Sequence, residues 1–218
     1  MASRRKPLVK ICGITSESDG RLALSCGAEL IGFIMAKSPR RVTARRAVEL
    51  IGKLRRFPRG RKAIMTGVFM NARLGWLLRS ARAAKLDLVQ LHGEETPEYV
   101  GAVASAGFKV MKVVKQLGRA AVAEMKRYPD AWAFLLEPRR SGPGRKKPRN
   151  PNYAPACAAA RAHPRVGIAG GISPQNAGRV ARDVGGRLWL VDAASGVESR
   201  PGRKDPEKLR RLFAELRK

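Results

Sequence analysis

Short apolar runs rich in β-branched residues recur eight times along this chain, each followed by an amphipathic stretch, and this alternation narrows the possible folds most. The runs lie near 7–12, 30–35, 63–69, 86–91, 108–114, 131–137, 165–169 and 187–192, at intervals of about 22 to 34 residues. Helix-like segments fill the gaps near 17–26, 43–55, 72–84, 96–106, 118–128, 153–162, 174–184 and 205–217. Start signals at Thr43, Asn71, Thr96-Pro97, Ser173-Pro174 and Asp205-Pro206 place a capping oxygen or a proline where the first turn has spare N–H groups. Gly27, Gly107 and Gly185 follow helix ends, where a left-handed residue is wanted. Eight such units in 218 residues predict a single-domain (β/α)8 TIM barrel over residues 1–218. A doubly wound open sheet is the structural alternative.

Composition narrows the function classes. Hydrophobic residues make up 44% of the chain, enough for a sizeable core, yet no apolar stretch approaches the roughly 20 residues of a membrane span. The basic start Met1-Ala-Ser-Arg-Arg-Lys6 is followed by no long apolar run, so no export signal is read. Cys12, Cys26 and Cys157 form no C-x-x-C pair, and their odd number argues for a reducing cytoplasm. With only His92 and His163 present, a multi-histidine metal site is not expected. Chemistry must then rest on thiol, carboxylate, lysine or backbone groups.

Lys and Arg number 45 against 17 Asp and Glu, a formal charge of +28. Cations crowd Lys37–Lys62, where Glu49 is the sole acid, and again Arg139–Arg149. Two explanations stay open: solvated helix faces decorated with arginine, or a surface for nucleic acid or another polyanion. No aromatic residues interleave with the charges, as they do in stacking-type single-strand binders.

In barrels, ligands and catalysis sit at the carboxyl ends of the strands. Cys12 closes the first run, immediately before Gly13. A free cysteine is often a small core hydrophobe; here the position also suits a nucleophile or base. The second run leads into Lys37-Ser-Pro-Arg40, the fourth ends with Gln90 and His92, the sixth with Glu137, and the eighth with Asp192. A thiol on strand one and a carboxyl on strand six stand roughly across a barrel mouth, as a base and an acid serving two ends of one substrate would. Gly170-Gly171 and Ser195-Gly196 fall in the loops after strands seven and eight, where backbone N–H groups commonly hold a phosphate. Ser195-Gly196 would add donors if a short helix begins there. Pro138–Pro151 reads as an active-face loop, His163 as a loop residue, and Cys26 and Cys157 as packing residues.

Jointly these segments resemble the phosphoribosylanthranilate isomerases of tryptophan biosynthesis. The matching pieces are Val9-Lys-Ile-Cys-Gly-Ile-Thr15, Gly32-Phe33, Ser38-Pro-Arg40, Gly67-Val-Phe69 with Asn71, and Leu88-Val-Gln-Leu-His-Gly93. Ala169-Gly-Gly171, Val191-Asp192, Ser195-Gly-Val-Glu198, Pro201-Gly202 and Lys204-Asp205 continue them in the family's order. The resemblance implies a cofactor-independent Amadori rearrangement of N-(5-phosphoribosyl)anthranilate, an aldose–ketose isomerisation. It implies Cys12 as the base, kept as thiolate by cations such as Lys10 or Arg40, and Arg40 as the grip on the anthranilate carboxylate. It implies phosphate held at Gly170, Gly171, Ser195 and Gly196, with Asp192, His92 and Gln90 in support. The family's acid is an aspartate where this chain has Glu137, and its Gly-Gly-Thr-Gly is here Ser141-Gly-Pro-Gly144. One added methylene moves a proton donor by roughly 1 Å, an error that can cost about 100-fold in rate. A barrel binding polyanions without catalysis is the reading of another class. A related phosphosugar isomerase is a third, disfavoured because it would use paired aspartates at strand ends where Cys12 stands.

Overall fold

In a computed structural model that describes residues 6–138 and 152–218, the alternating runs become strands that pair in chain order. They are β1 (Leu8–Cys12), β2 (Leu30–Ile34), β3 (Ile64–Phe69), β4 (Leu88–Leu91), β5 (Lys109–Val114), β6 (Ala133–Leu136), β7 (Val166–Ala169) and β8 (Leu190–Ala193). All neighbours are parallel, and β8 returns to pair with β1 in the register Lys10↔Asp192. That last ladder closes the barrel and removes the open-sheet alternative.

Around the barrel lie α1 (Glu17–Cys26), α2 (Ala44–Arg55), α3 (Pro58–Lys62), α4 (Leu74–Ala83), α5 (Pro97–Ser105), α6 (Gly118–Met125), α7 (Cys157–Ala162), α8 (Ala177–Val184) and α9 (Pro206–Arg217). Short 3-10 turns cover Ala154–Ala156 and Ser195–Val197, and a small hairpin joins β9 (Glu198–Arg200) to β10 (Arg203–Lys204). Thr43, Thr96 and Asp205 cap α2, α5 and α9 with their side chains as the sequence predicts, and Ser16 caps α1. No helix among the described residues is long and apolar enough to cross a membrane.

Two predicted helix starts shift. Asn71 does not cap α4; it adopts φ 48°, and its Oδ1 accepts from Glu94 N at 2.7 Å, so it braces two loops instead. Ser173 does not open α8. Its N–H donates to Asn176 Oδ1 at 2.9 Å, and the helix begins only at Ala177. In both cases an amide side chain satisfies loop backbone, a use of Asn that competes with helix capping. Of the segment read as the active-face loop, Pro138–Pro151, residues 139–151 lie outside the described residues.

The strand period of two divides the core. Met111 and Val113 of β5 point into the barrel with Leu30, Leu88, Leu135 and Leu190. Val110 and Val114 face the helices, among Leu24, Leu50 and Leu77. Lys112 shares that outer side, although it is buried. Its Nζ donates to Gly93 O at 2.7 Å, lies 2.8 Å from Glu95 Oε2, and sits over the Tyr128 ring. Glu95 Oε1 accepts from Asn71 N at 2.9 Å and Gly93 N at 3.1 Å. One buried ion pair thus ties the loops after β3 and β4 to β5. Burial alone would push the Glu95 carboxyl up, but the bonds from Lys112 and the Asn71 N–H prevail and hold it below its ordinary range.

That sign fixes the pH behaviour. The Glu95 contribution is present above the ordinary carboxyl range and is lost as pH falls through its depressed value. Lys112→Met leaves a buried carboxylate unpaired, so urea denaturation at neutral pH should show a loss of about 3–5 kcal/mol. The gap from wild type should narrow on acidification, as Glu95 becomes neutral in both proteins.

Candidate active site

Closure of the barrel brings the carboxyl ends of the strands around one cavity of about 160 Å³. Its lining includes Cys12 from the end of β1, Gln90 and His92 from β4, Glu137 after β6, Gly170 and Gly171 after β7, and Asp192 and Ser195 from β8 and its loop. Eight of the ten residues singled out in the sequence therefore meet in one place. Arg40 and Gly196 do not line it. Gly196 lies in the 3-10 turn that Ser195 begins, and a side chain there would meet Ile172 O at 1.9 Å, so this turn packs tightly on the loop after β7.

Cys12 Sγ fits because Gly32 on the neighbouring strand carries no side chain; a Cβ there would lie 2.8 Å from the sulfur. Beneath it, Lys10 Nζ contacts Asp192 Oδ2 at 2.6 Å, both groups being buried, and the ammonium also attracts the Cys12 thiolate form. Burial disfavours the ammonium, yet Asp192 and Cys12 together hold Lys10 above its ordinary range. Lys204 Nζ donates to Cys12 O at 2.7 Å and to Ala194 O at 3.2 Å. The cations expected to lower the thiol do not prevail. Burial pushes Cys12 up, Asp192 adds to it, and the opposing pull of Lys10 and Lys204 is smaller. The physical reason is burial first; the carboxylate partner of Lys10 then offsets part of the pull that the ammonium exerts.

Across the cavity, His92 Nε2 lies 3.2 Å from Glu137 Oε2. Gln90 Nε2 contacts His92 Nδ1 at 3.3 Å. The two contacts place the imidazole between the Gln90 amide and the Glu137 carboxyl, so that each ring nitrogen faces one polar group. The longer reach of Glu137 is accommodated on its other side by Gly170, at φ 94°. A Cβ there would stand 3.0 Å from Glu137 Cγ and 3.3 Å from Oε1. Behind that glycine the buried Tyr153 hydroxyl donates to the carbonyls of Ala169 and Gly170. Tyr153, Lys204 and the Glu95–Lys112 pair escaped the sequence reading as site elements. A lysine inside the apolar run Val110-Met-Lys-Val-Val114 was the available signal for the last of these.

Arg40 sits beside the Cys12–Gly13 turn with its guanidinium bound to Glu198. Cys26 is half-buried against the core, Cys157 opens α7, and His163 ends α7 with its ring edge-on to Phe134.

Comparison with known proteins shows the same family and the same barrel. The family model described as N-(5'phosphoribosyl)anthranilate (PRA) isomerase matches residues 9–215. The chain is 39% identical over 214 residues to the N-(5'-phosphoribosyl)anthranilate isomerase of Citrifermentans bemidjiense, covering 96% of this chain and 97% of that one. The crystal structure of phosphoribosyl anthranilate isomerase from Thermus thermophilus superposes with a TM-score of 0.81 at 39% identity, covering 96% and 98% of the two chains. A phosphoribosyl anthranilate isomerase in complex with reduced 1-(o-carboxyphenylamino)-1-deoxyribulose 5-phosphate superposes with a TM-score of 0.82 at 26% identity, covering 97% and 98%.

The raised thiol of Cys12 has a direct readout. In the ligand-free protein its alkylation by iodoacetamide, followed by peptide mass spectrometry, should be slow at neutral pH and rise only above the ordinary thiol range. Lys10→Met should move that rise further toward alkaline pH; a shift the other way would contradict the charge balance described.

Proposed function

The chain belongs to the N-(5'-phosphoribosyl)anthranilate isomerase family, and from that premise we propose that its barrel, residues 1–218 as one cytoplasmic domain, isomerises N-(5'-phosphoribosyl)anthranilate in tryptophan biosynthesis with Cys12 as base and Glu137 as acid. One observation carries the residue assignment: Cys12 and Glu137 face one cavity from strands three apart, with Gly170, Gly171 and Ser195 beside them. The bare Gly170-Gly171 backbone and the turn at Ser195 suit a phosphate, which needs close N–H donors and no side-chain obstruction.

In this reading the Glu137 carboxyl protonates the furanose ring oxygen. The C1–O bond breaks as the anilino nitrogen lone pair forms the C1=N iminium. The iminium acidifies the C2 proton, Cys12 removes it as thiolate, and the C–H electrons become the C1=C2 bond of a neutral enolamine. Tautomerisation places a proton on C1 and leaves the ketone at C2. Hydrogen is redistributed within one molecule, C2 being oxidised as C1 is reduced. The step therefore needs no external redox partner, which is the basis for a cofactor-independent intramolecular oxidoreductase. His92, oriented by Gln90, holds Glu137 toward the cavity. Asp192 acts through Lys10 rather than on the phosphate, which its carboxylate would repel. Arg40 grips the anthranilate carboxylate. The +28 charge gives a field that favours a substrate carrying a phosphate and a carboxylate.

Fluorescence-followed turnover of freshly made substrate tests the assignment. Cys12→Ala and Glu137→Gln should each lose roughly 10²–10⁴-fold in kcat while binding the reduced product analogue nearly as wild type does. Glu137→Asp keeps the carboxyl but retreats from His92, and its kcat should fall by about ten- to a hundredfold. Full turnover by Cys12→Ala would remove the thiol from the mechanism.

A further inference from the structure

Arg40 presents a puzzle that the family assignment does not resolve. An arginine meant to hold a substrate carboxylate already holds one of the protein's own. Its Nε donates to Glu198 Oε1 at 2.8 Å and to Oε2 at 2.9 Å, and Nη2 donates to Oε2 at 2.6 Å. Glu198 is buried, and its carboxylate is claimed a second time by Lys204 Nζ at 2.9 Å. Burial would raise that carboxyl, but the bonds from Arg40 and Lys204 outweigh it and hold it below its ordinary range.

The geometry of the guanidinium shows what remains. Of its five N–H groups, those on Nε and one on Nη2 face Glu198, which leaves the end-on edge formed by Nη1 and the second Nη2 proton. That edge is itself a fork able to take a second carboxylate with two parallel hydrogen bonds. The position of the fork is fixed from both sides. The Arg40 side chain lies against the turn after Cys12, where a Cβ on Gly13 would come within 2.6 Å of Arg40 Cδ. Lys204, bonded to Glu198, also bonds the carbonyl of Cys12 itself. Two cations surround one carboxylate, so a net positive charge remains at this rim. An unanchored arginine on a long flexible stem would lose rotamer freedom on meeting substrate; here that ordering is already complete.

We propose that Glu198 is a positioning residue that presents the outer edge of Arg40 to the substrate's aromatic carboxylate, and so sets specificity for a carboxylated aniline over an unsubstituted one. This rests on the assignment of Arg40 to that carboxylate. Glu198 touches no reacting atom; it acts through Arg40, with Lys204 keeping the pair in register with Cys12.

The test compares two ligands, reduced 1-(o-carboxyphenylamino)-1-deoxyribulose 5-phosphate and the same compound without its carboxyl group. Wild type should prefer the first by about 10- to 100-fold, the range of a charge-assisted bidentate contact. Arg40→Met should abolish the preference. Glu198→Gln should cut it about tenfold while changing affinity for the carboxyl-free ligand by less than about threefold, and should raise KM far more than it lowers kcat. Glu198→Asp keeps the charge, draws the fork back by one methylene and should fall between the two. Because Glu198→Gln leaves Lys204 buried without a counter-charge, the double variant Glu198→Gln/Lys204→Met provides a second route, with the same loss of preference expected. An unchanged or larger preference in the folded Glu198 variants would overturn the proposal, since Glu198 would then be a bystander or a competitor. Equal loss for both ligands would overturn it too, as a merely structural role. If Arg40→Met retains the preference, the assignment of Arg40 is what fails.

Discussion

An ammonium with no exposed surface must have a counter-charge, and in this barrel the ammonium of Lys10 finds it on the strand that closes the circle. Lys10 and Asp192 are register partners on β1 and β8, 2.6 Å apart at their charged ends. A buried pair of this kind adds little net stability over well-packed apolar residues, because desolvation offsets most of the Coulomb attraction. What it adds is discrimination. A slip of β8 by one residue would turn Asp192 outward and strand the lysine, so only one closure register is tolerable. The same ammonium acts electrostatically on the Cys12 side chain. The contact that sets the seam of the barrel thus also sets the electrostatics of the proposed base.

This coupling explains why the thiol is not lowered at rest. A cation already balanced by a carboxylate contributes little net potential, and the burial that the barrel imposes on Cys12 dominates. The second cation, Lys204, is likewise balanced, by Glu198. The site pairs its charges, Lys10 with Asp192 and both Lys204 and Arg40 with Glu198, which leaves one net positive charge beside the Cys12–Gly13 turn.

Much of this was legible in the chain. Strand period and capping residues located the eight strands to within about three residues. The strand-end rule then brought Cys12, His92, Glu137, Gly170 and Asp192 to one cavity, because a closed parallel barrel leaves few other places for residues at those positions. Apart from Lys112, a lysine inside an apolar run, what escaped had no local signature. The β9–β10 hairpin is too short and too charged to show alternation, and α3 reads as one more basic run. Asn71 and Ser173 looked like helix caps because the loops they serve are built by residues distant in sequence or on the far side of a turn. The partner of Arg40 lies 158 residues away, at a distance no periodicity connects.

The replacement of an aspartate by Glu137 changes meaning once its surroundings are known. Read from sequence, one extra methylene displaces a proton donor. In the folded chain that methylene lies against a glycine, and the carboxyl group ends beside a histidine that also contacts the Gln90 amide. Three strands, β4, β6 and β7, contribute to that one carboxyl group. A side chain longer by one carbon is therefore held by a pocket with room for it, and the shorter acid would leave His92 without its partner. The surroundings of Glu137 thus fit a local re-fit of the proposed acid to its longer side chain.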